Sequence, residues 1–169
     1  IVVPENRIEA VQEALTAKLK KTTIGDPRAE GVRMGSLAAQ IQVDRLSEGI
    51  ERLKKSQEVV YGDLRDFDVL GVEKNKGAFV IPTLFLNSDP FVHTDVHEIE
   101  CFGPVSTLIP YTDIDQAAEI ANLGKGSLVS SIITADDKIG RQYVLEAAHM
   151  HGRILVLNAK SAKESTGHG

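Results

Sequence analysis

Cys101, the single cysteine among 169 residues, has the most nucleophilic chemistry to offer, since a thiolate could attack a carbonyl if a base, a cation or a helix N-terminus lowered its pKa. Its neighbours carry the wrong charge. Glu98 and Glu100 would raise a thiol pKa, and the apolar, strand-like setting predicts a buried cysteine acting as a small hydrophobe. His93 and His97 stand at the i, i+4 spacing that places two metal ligands on one helix face. Pro90 argues against a helix there and no third ligand stands at a diagnostic spacing, so solvated loop histidines are expected. His149 and His151 are read at a helix end, where an imidazole can favour the dipole without catalytic duty. Gly124, Gly126, Gly167 and Gly169 lack the strand, spacing and helix order of a dinucleotide fingerprint or a P-loop. No Ser, His and acid set can be assembled either, because such a triad is recognised by geometry. These residues nominate no catalytic group and no metal.

The elements that would position any site follow from periodicity. Ile1 to Val3 is β-branched and strand-like, and Pro4 suits the first turn of a helix. Ile8, Val11, Leu15 and Leu19 form one apolar stripe on a helix ending near Lys20 and Lys21. After a glycine-rich link from Gly25 to Gly35, a second amphipathic helix is expected from about Ser36 to Lys55, with Leu37, Ile41, Leu46, Ile50 and Leu53 inward. Val59 to Tyr61 and the run Phe79 to Ile81 leading into Thr83 to Leu86 read as strands, with loop between them from Asp63 to Gly77. Val105 to Tyr111 reads as a strand that Pro110 would confine to an edge or cut short. Asp113 and Asp136 are N-caps for helices over Ile114 to Ala121 and Lys138 to His151, separated by a strand from Leu128 to Thr134 and followed by another from Ile154 to Leu157. Helix alternating with apolar strand predicts an α/β fold, an open, mostly parallel sheet with helices on both faces.

Composition narrows the class. With 42% hydrophobic and 25% charged residues the chain reads as one ordinary globular domain spanning 1–169. A net charge of -5 provides no basic stripe for phosphates, which excludes nucleic acid as the expected partner and disfavours a membrane surface. A lone cysteine and no signal-like start suggest a reducing, cytoplasmic compartment. Opening on Ile1, Val2, Val3 and closing in a polar, glycine-rich stretch suggests a piece of a longer protein.

Four segments, in order, resemble the later part of an aldehyde dehydrogenase catalytic domain. They are Gly25, Asp26, Pro27 with Met34, Gly35; Gly77 to Phe85; Glu98, Ile99, Glu100, Cys101, Phe102, Gly103, Pro104, Val105; and Ala121, Asn122 through Ser127 to Thr134 with Gly152 and Asn158. The His97 to Tyr111 stretch and the end from Asn158 to Gly169 are similar to the branch that serves phenylacetate degradation. In that branch the dehydrogenase domain is fused to an enoyl-CoA hydratase-like domain. The resemblance implies oxidation of an aldehyde, such as a CoA-linked semialdehyde of aromatic degradation, to its acid with NADP or NAD as cofactor, in a parent protein that is a homo-oligomer.

Carried over residue by residue, the resemblance makes Glu100 the carboxylate that accepts hydrogen bonds from the nicotinamide ribose, and Phe102 the aromatic beside the nicotinamide. It also places the family's nucleophilic cysteine, oxyanion asparagine and general-base glutamate, together with the dinucleotide-binding domain, outside these 169 residues. Cys101 is not that nucleophile, and the isolated piece is expected to be inactive. Two other readings are a non-catalytic binding module built on the same fold and a CoA-acylating dehydrogenase.

Overall fold

The computed structural model describes residues 1–62, 64 and 66–164. Asp63 and Arg65 of the expected 63–77 loop, and Ser165 to Gly169 of the branch resemblance, lie outside the described residues. The strands are β1 (Val2–Pro4), β2 (Glu58–Tyr61), β3 (Thr83–Leu86), β4 (Val105–Tyr111), β5 (Ser127–Ile133) and β6 (His151–Leu157). The helices are α1 (Ile8–Leu19), α2 (Gln40–Leu53), the single turn α3 (Asp95–Glu98), α4 (Ile114–Asn122) and α5 (Asp137–Ala147). Two compact units emerge, one of residues 1 and 6–110, the other of residues 2–5 and those from 111 onward.

In the first unit β3 is the central strand. It pairs antiparallel with β2 and parallel with β4, Thr83 opposite Val105 and Leu86 opposite Leu108. Pro110 is tolerated because it stands beyond the last residue paired with β3, where its missing N–H leaves that ladder intact. Ile1 adds to β4, its carbonyl accepting from the Ile109 N–H at 2.9 Å and its ammonium donating to the Thr107 carbonyl at 2.7 Å. The core forms where Leu46, Ile50 and Leu53, spaced three and four apart on α2, close over Val80 and Phe85. Phe85 is fully buried.

Two expectations fail here for local reasons. α2 begins at Gln40 rather than Ser36, because the Gln42 side-chain oxygen turns back to accept from the N–H groups of Ala38 (2.9 Å) and Ala39 (3.2 Å) and satisfies the start of the helix there. Ile41 then sits in the first turn with 54% of its surface exposed, and Leu37 lies outside the helix, donating instead to the Ala78 carbonyl. The strand expected from Phe79 starts only at Thr83, just after Pro82, which has no N–H to donate.

In the second unit β5 and β6 pair in parallel from Ser127 opposite His151 to Ile133 opposite Leu157, joined through α5. Asp113 accepts from the Gln116 N–H (2.9 Å) and Asp136 from the Lys138 N–H (2.8 Å), so both expected caps hold. Small residues let the elements approach closely: Ala118 and Ala147 share a core with Tyr143, against which Ile132 and Ile154 pack. Within this unit the strands are not covered on both faces. Leu128 is 87% and Ile133 75% exposed. α5 also ends earlier than expected, and His151 is the first residue of β6 rather than a helix end.

That placement sets a tautomer. The Ser127 hydroxyl donates to the Val129 carbonyl at 2.9 Å and also lies 2.7 Å from His151 Nδ1. One hydroxyl proton serves one acceptor, so His151 Nδ1–H donates to Ser127 and Nε2 is left bare, buried and without a partner among the described residues. Burial first, and the neighbouring His149 second, lower the His151 pKa from its usual value near 6.5. The fold therefore resists a proton that the unfolded chain accepts. Stability should be complete above pH about 6.5 and fall as the pH drops below it. Thermal unfolding between pH 8 and 5 is expected to show this loss, and a His151→Gln variant a shallower one; identical slopes would contradict the assignment.

Candidate functional site

The segment that follows α3 alternates. Ile99 and Cys101 turn inward and pack on the α2 core, whereas Glu100 and Phe102, offset by one, are exposed. Period-two alternation is what an extended backbone imposes, and Ile99 is extended at φ -102° and ψ 104°. The far end is tied down by the Pro104 carbonyl, which accepts from the Thr83 N–H at 2.9 Å, and by the Val105 N–H bonded to the Gly103 carbonyl at 2.8 Å. At the near end the Ile99 N–H closes the α3 turn on the Asp95 carbonyl at 2.8 Å.

Phe102 is 73% exposed, an unusual state for a large aromatic. It borders a depression of about 410 Å³ lined also by Leu37, Ala38, Gln42, Cys101 and Gly103. No hydrogen bond or ion pair engages the Glu100 carboxylate among the described residues. The pair thus offers an acceptor-only group and an exposed ring on either side of Cys101 on a tethered backbone, an arrangement suited to a ligand with both hydroxyls and a flat heterocycle. Gln42, on the border of the same depression, was not singled out from sequence. Nothing in the chain order joins it to Phe102, and its capping role is masked by Ala39 at the N-cap.

The remaining candidates lie apart from this depression. Against the expectation of solvated loop histidines, His97 falls in the α3 turn, half-buried; His93 precedes it, its carbonyl accepting from the buried Asn87 side-chain amide at 2.8 Å. No group of three His, Cys, Asp or Glu suited to a metal occurs among the described residues.

Comparison with known proteins decides the family, because the model described as the aldehyde dehydrogenase family matches residues 1–164. The chain belongs to that family. It is 37% identical over its full length to the 3,4-dehydroadipyl-CoA semialdehyde dehydrogenase of Aromatoleum evansii, covering 33% of that protein. It is 41% identical over 137 residues to Protein MaoC of Klebsiella aerogenes, covering 80% of this chain and 39% of that one. Among solved structures, a mutant aldehyde dehydrogenase from Bacillus cereus superposes with a TM-score of 0.78 at 27% identity, over 92% of this chain and 30% of that one. A mutant of aldehyde dehydrogenase C from Pseudomonas syringae, with NAD+ and octanal bound, does so with a TM-score of 0.78 at 26% identity and the same coverage. The chain spans about a third of the length of these relatives. The expected α/β class, with parallel strand pairs and helices, is the one observed.

Within this aldehyde dehydrogenase chain Cys101 is a packing residue. Its side chain is half-buried on the Leu46, Ile50 and Leu53 cluster, and burial pushes the thiol up from the ordinary cysteine range, with Arg52 only partly opposing. A protonated thiol is a poor nucleophile. Mapped alkylation of Cys101 is accordingly expected to be slower at pH 7 than that of a free cysteine peptide, and to keep accelerating above pH about 8.5, where the peptide levels off. Rapid alkylation at pH 7 would overturn this.

Proposed function

We propose that this chain provides part of the catalytic domain of an NAD(P)-dependent aldehyde dehydrogenase, in which Glu100 and Phe102 hold the nicotinamide end of the cofactor. The observation that carries this reading is the exposure of both side chains on a backbone segment fixed at its two ends. An ionised carboxylate accepts from two ribose hydroxyls without needing a proton of its own, and an unpacked ring supplies a face against which a heterocycle can lie. When bound, the cofactor supplies the two-electron acceptor for aldehyde oxidation. Glu100 orients it, Phe102 limits its movement and excludes water from one side, and neither touches a proton in the reaction.

The substrate class follows from the 37% identity, over the whole chain, to a protein named as a CoA-linked semialdehyde dehydrogenase. An aldehyde of that kind, derived from aromatic degradation and oxidised to its acid, is the proposed substrate, and NADP or NAD the cofactor. The full-length enzyme is proposed to be a cytoplasmic homo-oligomer. No described helix is long and apolar enough to cross a membrane. The isolated 169 residues are proposed to be inactive, since the only thiol they hold is half-buried against α2, where burial raises its pKa.

In the full-length enzyme Glu100→Gln keeps the shape and removes the charge. It is expected to weaken NADP or NAD binding by roughly tenfold, corresponding to about 1.4 kcal/mol, with Phe102→Ala having a similar effect. Isothermal titration with each nucleotide, beside aldehyde-dependent absorbance at 340 nm, measures both. Unchanged affinity in both variants, or turnover by the isolated chain, would overturn the reading.

A further inference from the structure

The cofactor-contacting segment does not rest on α2 through ordinary side-chain packing alone. A Cβ added at Gly49 would stand 2.7 Å from Cys101 Sγ and 3.6 Å from an Ile99 methyl. One added at Gly103 would stand 3.0 Å from both methyls of Leu46. Leu46 and Gly49 are three residues apart on the helix, hence neighbours on one face. The thiol fills the notch that the missing side chain leaves at Gly49, and the Leu46 methyls lie against the bare Cα of Gly103. These two close approaches bracket Phe102, and Glu100 stands between the two residues that reach Gly49.

We infer that Gly49 of α2 is a positioning residue for the nicotinamide contacts, acting through Cys101: its missing side chain seats the segment at the depth that presents Glu100 and Phe102 together. The inference rests on the assignment of those two residues to the cofactor. Gly49 is buried in mid-helix, a position where glycine is a poor helix former and alanine the best. Helix propensity therefore does not account for glycine here; the space taken by the Cys101 sulfur does. Cysteine has one side-chain torsion. A methyl at Gly49 would either turn the thiol out of its notch, removing the contact that seats it, or lift the segment, and in both cases the backbone between Ile99 and Gly103 loses the fit that sets its depth.

The test uses the full-length protein with Gly49→Ala and the double variant Gly49→Ala/Cys101→Ala, in which removal of the sulfur makes room for the methyl. Three quantities are read: Kd for NADP and NAD by titration calorimetry, the alkylation rate mapped to Cys101, and the melting temperature. In Gly49→Ala the Cys101 alkylation rate should rise and Kd should increase roughly tenfold, with melting temperature nearly preserved because alanine favours the helix. The double variant should recover most of the lost affinity. A purely structural role would lower the melting temperature and leave Kd alone, and that result overturns the inference, as does a double variant no better than the single one. If alkylation accelerates while Kd stays fixed in both Gly49→Ala and Glu100→Gln, the cofactor assignment itself falls. If Kd moves in Glu100→Gln but not in Gly49→Ala, only the positioning role falls.

Discussion

Parallel pairing of β3 with β4 is the constraint from which the rest of the first unit follows. Two parallel neighbours cannot be joined by a tight turn, so after Leu86 the chain must travel back the length of the sheet before it can enter β4 at Val105. The return path, residues 87–104, holds both proposed cofactor contacts. It is largely irregular, with α3 as its one helical turn, and is stabilised at particular points instead. Asn87, fully buried at the end of β3, satisfies its own amide by donating to the His93 carbonyl and accepts from the Asp89 N–H through its side-chain oxygen, which sets the direction in which the chain leaves the sheet. Thr83 closes the other end by bonding the Pro104 carbonyl. Between these ties the segment is free to serve a ligand.

Much of this was legible in the sequence because it depends on short-range chemistry. Asp113 and Asp136 announce helix starts by a side-chain oxygen reaching backbone N–H groups two and three residues on, and both do so in the structure. The helical stripe of Leu46, Ile50 and Leu53 is visible as spacing alone. The start of α2 depends on where one glutamine side chain points, and Ile41, in its first turn, lies on the exposed side. His151 continues the helical pattern of α5 in sequence, although the helix has by then tightened into a short 3₁₀ turn and given way to β6.

The candidate site divides in the same way. The in-and-out alternation of Ile99, Glu100, Cys101 and Phe102 is a local pattern, and resemblance to the family gave two of those residues a role. What holds them in place is not local: Gly49 and Cys101 are far apart in the chain, and a glycine in mid-helix reads from sequence only as a weak helix position. The space it leaves has meaning only once the partner sulfur is found beside it. A feature defined by absent atoms has no motif.

The exposed strands of the second unit affect how the chain behaves in solution. β5 reads Ser-Leu-Val-Ser-Ser-Ile-Ile, seven residues without a charge or a proline, and among the described residues its sheet partner is β6. With Leu128 and Ile133 largely bare, an uncharged strand of that composition is prone to associate with other copies of the chain. Self-association would then compete with folding whenever these residues are uncovered, which makes protein concentration a condition to control when the chain is handled alone.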